Sequence, residues 1–357
     1  MGFGVDIMEY TMGTKLTNIS VDMNIVKKLC KINEYKGEQI IYKKQPKSVI
    51  IDMTDDAILK FVYDTYIDNF TGGKENLIKL INNEITPNSR EDIGVVEFRD
   101  VVKTVNSAYE DIQICSQTIL ELHGYLHRYS LVRGGRYRNE VLGYLNLEYG
   151  KFDEFNKDLD NEYNVEKNIE NKVEILCKKY YELLKEDKIQ DLIIIASFVM
   201  DFILISPFKE DNLAMAKILT LLLLNKSGYE IGRFTSLGNL YYDENYSYFK
   251  TLFTKQGDFE RDSYNMNEWL DYFLEFILIA YEDLSEEMNL TGNKKETKTR
   301  RIEKVINSTL GYFTKDDVRN QCPDIPEPTI NRVFNNLRKS GKIEVVAKGR
   351  SAKWKKK

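Results

Sequence analysis

The segment SPFKEDNLAMAK, Ser206 to Lys217, follows directly on the apolar run LIIIASFVMDFILI, Leu192 to Ile205. A helix that crosses a membrane needs roughly 20 apolar residues. This run has 14 and includes Ser197 and Asp201, so it reads as a buried core helix. The residues after the loop, about Leu213 to Lys226, form a second apolar helix, closed by Gly228 as a C-terminal cap. The polar loop thus sits at a helix N-terminus, where free N–H groups and the dipole favour an anion. An ordinary helix–loop–helix turn has the same appearance.

Helical periodicity extends in both directions. Ile58, Leu59, Val62, Tyr63 and Tyr66 keep the i, i+3, i+4 spacing from Thr54 onward. A long run covers Val95 to Leu126, and others cover Val173 to Leu184, Ile189 to Ile205, Tyr246 to Phe253 and Asn267 to Met288. Residues up to Ile51 are weakly periodic, and Glu38 to Lys43 alternates as a short strand would. The polar stretch Asn289 to Lys298 reads as a linker. The expected organisation is an N-terminal segment over 1–53, a helical body over 54–290 and a small module over 291–357.

Composition is that of a soluble globular chain of 357 residues, with 42% hydrophobic and 30% charged residues. No secretory signal is visible near Met1, and a cytoplasmic, membrane-free protein is expected. Cys30, Cys115, Cys177 and Cys322 lack CxxC spacing, so neither a zinc site nor a disulfide framework is indicated. The net charge of -5 hides an asymmetry. Residues 291–357 hold 18 basic and 7 acidic side chains, a net of +11, which leaves -16 on the rest of the chain. An acidic body with a basic module points to partners of two kinds.

The module reads as three helices and a hairpin: Arg300 to Thr309, Lys315 to Gln321 capped by Thr314, Thr329 to Ser340, then strands around Ile343 and Lys353. This is a winged helix-turn-helix pattern. Its third helix would present Asn331, Arg332, Asn335, Asn336 and Lys339 to a major groove of double-stranded DNA. Lys348, Arg350, Lys353 and Lys355 to Lys357 would follow phosphates. A protein-interaction wing kept soluble by its lysines would share this composition.

The loop resembles the active-site motif of the Fic (Fido) family of protein adenylyltransferases, HPFx(D/E)GNGRxxR. Pro207, Phe208, Glu210 and Asn212 match it. Ser206 stands for the histidine, Asp211 and Leu213 for the two glycines, Ala214 for the first arginine and Lys217 for the second. The flanks are similar too: Ile119 to His123, Gly135 to Val141, Leu223 to Arg233, Tyr248-Phe249 and Glu268 to Leu274. The resemblance implies a mainly α fold, a Fic helical domain with a small β-hairpin, followed by the winged helix. It also implies transfer of AMP from ATP to a target Ser, Thr or Tyr hydroxyl, with Mg²⁺ on the acidic residue.

Carried over residue by residue, Ser206 takes the place of the general base, Glu210 binds the metal, and Asn212, Asp211 and Lys217 meet the nucleotide. Replacing the base with serine costs about 10²–10⁴-fold. Asp211 sets a like charge against phosphates, and Ala214 removes a bidentate clamp. Asp64 to Asn69 loosely resembles the family's inhibitory helix, so Asp68 is expected to pair with Lys217. Tyr125, Tyr137, Tyr241, Tyr242 and Tyr248 would line a target groove or simply pack the core. The expected function is a catalytically impaired Fic protein that acts as a binding or regulatory module with a DNA-contacting tail. The alternatives are an enzyme of altered chemistry, or a structural, antitoxin-like partner of an intact Fic protein.

Overall fold

The computed structural model describes residues 12, 16, 19–45, 47–130, 133–139, 142–146, 151–154, 162–239 and 266–292, and most of 301–356. The chain divides into two units, Met1–Leu284 and Ser285–Lys357.

In the first unit the helices run α1 Met23–Tyr42, α2 Lys47–Tyr66, α3 Lys74–Ile81, α4 Arg90–Ala108 and α5 Ser116–Tyr125. An antiparallel hairpin follows, β1 Leu142–Asn146 with β2 Lys151–Glu154. Then come α6 Glu162–Glu186, α7 Asp191–Ile205, α8 Asn212–Lys226 and α9 Met266–Gly292, whose residues up to Leu284 belong to this unit.

The core is the hairpin of α7 and α8. Thirteen of the fifteen residues of α7 are buried, so this helix is enclosed all round, as its apolar run requires, and Ser197 and Asp201 are buried with it. α6 packs on α7, and α4 packs on α8. Trp269 of α9 is fully buried and donates its indole N–H to the Ala196 carbonyl at 2.8 Å. α8 ends where Gly228 takes a positive φ of 75°, the left-handed position that glycine fills at least cost.

Three sequence expectations need correction. Glu38 to Lys43 is not a strand, since residues 38–42 form the last turn of α1. Asp22 caps that helix by accepting from the Asn24 and Ile25 amides, and Ile25, Leu29, Ile32, Gln39 and Tyr42 share one buried face. The alternation does not report burial here, since Ile40 and Ile41 are exposed while Gln39 is buried and accepts from Tyr281. Among the described residues before Thr54, Met12 donates its amide to the buried Asp201 carboxylate at 2.9 Å, and Lys28 pairs with Asp271 and Glu275. Second, the run from Val95 to Leu126 is two helices. α4 starts five residues earlier, at a Ser89–Asp92 capping box, and stops at Ala108. Third, α9 continues through the first part of the expected linker, to Gly292. The helix expected at Tyr246 to Phe253 lies outside the described residues.

In the second unit, β3 Tyr312–Phe313, α10 Lys315–Gln321, α11 Glu327–Lys339, β4 Ile343–Ala347 and β5 Lys353–Lys356 follow in order, with helical backbone at 301, 302, 305 and 306. The strands form an antiparallel sheet in the order β3-β5-β4, with Phe313 and Val345 both opposite Trp354. Thr314 and Asp317 make a reciprocal capping box that starts α10. Ile302, Ile306, Phe313, Val318, Ile330, Val333, Phe334 and Trp354 form an independent core. Strand β3 went unseen in the sequence because two residues carry no periodicity.

Candidate functional site

The loop between α7 and α8 is held on every side by its own backbone and by neighbouring helices. Ser206 terminates α7 in a left-handed conformation, φ 43° and ψ 65°. It is buried, and its hydroxyl donates to the Ile203 carbonyl at 2.5 Å. Arg138 holds the same corner, donating from Nε to the Ser206 carbonyl at 2.8 Å and from its amide to the Pro207 carbonyl at 2.9 Å. The Ser206 side chain is thus turned back into the preceding helix.

Phe208 is fully buried and lies flat on His123, with ring centroids 3.7 Å apart and planes at 3°. Tyr137 stacks beyond it at 5.9 Å and hydrogen-bonds Ser116, so this tyrosine is a core residue and not part of a surface groove. Tyr125 is half exposed, whereas Tyr241, Tyr242 and Tyr248 lie outside the described residues. Asn212, the first residue of α8, accepts from the Phe208 amide at 2.9 Å and donates to the Phe208 carbonyl at 2.7 Å. Both ends of its carboxamide are therefore spent on the loop.

Glu210 and Asp211, the two acids, each meet a basic side chain. The Glu210 carboxylate accepts from Arg90, at the start of α4, at 2.6 Å. Asp211 adopts φ 61°, the left-handed region that Asp tolerates better than most non-glycine residues. It keeps the backbone turn that a glycine would make, but adds a carboxylate that lies 3.2 Å from His127 Nε2. Hydrogen bonding to Asp211 raises the pKa of the buried His127, while burial lowers that of His123 to about 4. His123 therefore stays neutral, its Nδ1 accepting from the Gly135 amide at 3.0 Å. Glu97, buried in α4, accepts from the Tyr129 amide, and burial raises its pKa. Leu213 and Ala214 are half-buried in the first turn of α8.

Lys217 is buried one turn further on. Its ammonium donates to the Gly238 carbonyl at 2.5 Å and to Thr65 Oγ1 at 3.4 Å. Burial lowers its pKa to about 7, and the nearby charge that opposes this is Asp64. The expected Asp68–Lys217 pair is therefore replaced. Asp68 is exposed in the turn after α2, one helical turn beyond the residues that face Lys217. Gly238 sits so close to α2 that an added Cβ would lie 2.4 Å from the Phe61 carbonyl, so no side chain fits there.

Among the described residues no group of three or more His, Cys, Asp and Glu is placed to hold a metal by itself. Mg²⁺ is commonly held by one or two carboxylates together with a substrate's phosphates, and the acids that would serve here are already engaged, Glu210 by Arg90 at 2.6 Å and Asp211 by His127 at 3.2 Å. Sequence reasoning reached the loop residues, and Arg138 as part of the flank Gly135 to Val141, but missed the contacts that Arg90, His127 and Gly238 make with them.

Comparison with solved structures decides the architecture. A Fic family protein from Desulfovibrio desulfuricans G20 superimposes with a TM-score of 0.56 over 95% of this chain and 97% of that one, at 14% identity. The chain carries the Fic fold. A Fic domain containing signaling protein from Bacteroides thetaiotaomicron VPI-5482 gives 0.53 over 77% of this chain and 99% of that one, at 14% identity. Fic-1 from C. elegans gives 0.54 over 73% and 71%, at 16% identity. No family model and no curated protein matches the sequence. The Fic fold thus persists here at an identity where only the architecture is shared, and no described helix is long and apolar enough to cross a membrane.

In the second unit, Arg332, Asn335 and Asn336 are exposed on α11, and Lys353 is exposed on β5. Asn331 differs from expectation: it is half-buried and its carboxamide oxygen accepts from Lys315 at 2.5 Å. The Lys339 side chain, Lys348 and Arg350 lie outside the described residues.

Proposed function

We propose that this is a Fic-fold protein that has lost adenylyl transfer, acting as a binding and regulatory body joined to a winged-helix module that contacts DNA. One observation carries the first half: the Ser206 hydroxyl is buried and donates to the Ile203 carbonyl. A group in that position has no proton-accepting capacity near neutral pH, and it points away from any incoming hydroxyl. The surrounding contacts support the same reading. Glu210 is neutralised by Arg90, Asp211 adds a carboxylate where phosphates would lie, and Lys217 is committed to Gly238. The second half rests on the +11 charge of residues 291–357 and the exposed polar face of α11.

Calorimetric titration of the full chain with ATP and Mg²⁺ tests the body. The expected result is no saturable heat, and no label transferred from radioactive ATP to the protein or to a lysate. Label transfer that disappears in Glu210→Ala would overturn the proposal and establish an active transferase.

A further inference from the structure

The exposed face of α11 holds side chains for which the described residues of its unit provide no partner. Burial of Ile330, Val333, Phe334 and Leu337 fixes the rotation of this helix, so Arg332, Asn335 and Asn336 must point outward together. Several other charges in the unit are matched internally. Arg319 pairs with Asp316 at 3.0 Å and Glu327 at 2.9 Å, Lys355 pairs with Glu344 at 3.0 Å, and Lys315 holds Asn331. Among the described residues, none hydrogen-bonds or pairs with the side chains of Arg332, Asn335, Asn336 or Lys353. Glu327, the acid at the start of α11, is already engaged by Arg319 and so opposes an approaching phosphate less.

The chemistry of this face is selective. A carboxamide presents one donor and one acceptor side by side, which matches the N6 and N7 edge of adenine in a major groove. A guanidinium presents two donors and matches O6 and N7 of guanine. Along a helix rising about 1.5 Å per residue, Arg332 lies roughly 4.5 Å from Asn335 and 6 Å from Asn336. Base pairs are stacked about 3.4 Å apart, so these side chains span one to two base steps.

We infer that α11 reads purine edges, with Asn335 and Asn336 selecting adenine and Arg332 selecting guanine within two base pairs of each other. The inference rests on the DNA-contacting reading above and adds the bases that would be read. Lys353, on the sheet, would meet phosphates without regard to sequence.

The test uses the full chain and a randomised duplex library, followed by gel-shift titration of the selected sites near 0.15 M salt. Selected duplexes should carry A and G one or two steps apart. Replacing those purines by their 7-deaza forms, which lack the N7 acceptor, should weaken binding roughly tenfold. Asn335→Ala, Asn336→Ala and Arg332→Ala should each relax the preference at one position, while Lys353→Ala should weaken every duplex alike. These are surface substitutions that leave the unit's core intact. Equal binding to all duplexes with no effect of 7-deaza bases would overturn the base reading while leaving DNA contact standing. Equal binding to an RNA duplex, whose deep major groove excludes side chains, would overturn it as well. No duplex binding at low salt would end both this inference and the DNA half of the proposed function.

Discussion

The carboxamide of Asn212 closes a ring on Phe208, accepting from its amide and donating to its carbonyl four residues upstream. Both backbone groups are buried, and Asn212 satisfies both. Asn212→Ala would leave a donor and an acceptor unpaired in the core, at about 1–3 kcal/mol each. Chemical denaturation should show a loss of about 2–4 kcal/mol, with the denaturant slope unchanged. A loss below about 0.5 kcal/mol would mean that the loop is held by Phe208 stacking alone.

Restoring the base should not restore chemistry. Ser206→His would place an imidazole on a left-handed corner still flanked by the Glu210–Arg90 and Asp211–His127 pairs. Transfer of label from ATP should stay at the wild-type background. A gain of about 10²-fold or more, the usual contribution of a general base, would show that the rest of the site is competent.

Lys217 should impose an upward slope of stability with pH. Its folded pKa is about 7, below its ordinary 10.5, so between these values the unfolded chain holds more of this proton than the folded one. Unfolding free energy should therefore rise with pH across that window, by at most about 1.4 kcal/mol per unit. Lys217→Met should flatten the rise, and its advantage over wild type should be greatest near pH 7 and below. Parallel pH profiles for the two proteins would show that the lysine is solvated in solution.

His127 should act with the opposite sign. Its folded pKa is raised by Asp211, so its contribution is complete below its ordinary value near 6.5 and is lost as pH climbs through the raised one. The groups facing it are Asp211 and Glu210 from the loop, Glu97 from α4 and His123 from α5. Asp211→Asn should shift the His127 titration, followed by NMR, to lower pH and remove this fall in stability. An unmoved titration would assign the shift to Glu97 instead.

Arg90→Ala should be nearly silent in stability, within about 1 kcal/mol, because both partners of its pair with Glu210 are substantially exposed. The same variant frees the Glu210 carboxylate. It should still show no heat of Mg²⁺ binding, since a single carboxylate is a poor site for that ion.

Much of the fold was legible because it is written in local pattern. The continuous apolar run of α7, the Thr314 cap and the 330, 333, 334, 337 face of α11 are each set by neighbours within a turn or two. The pattern failed where burial was decided from afar. Residues 38–43 alternate like a strand, yet Gln39 is buried where Tyr281 and the Gly228 carbonyl hydrogen-bond it from 242 and 189 residues away.

The loop divides in the same way. The sequence alone determined that a serine stands at 206 and acids at Glu210 and Asp211, because these are identities. Only the tertiary structure decided that the serine turns inward, that Arg90 lies against Glu210 from 120 residues away, and that Lys217 is spent on Gly238 and not on Asp68. Packing brings such partners together, and a one-dimensional pattern carries no record of which distant groups a buried charge or hydroxyl must find to satisfy its hydrogen bonds.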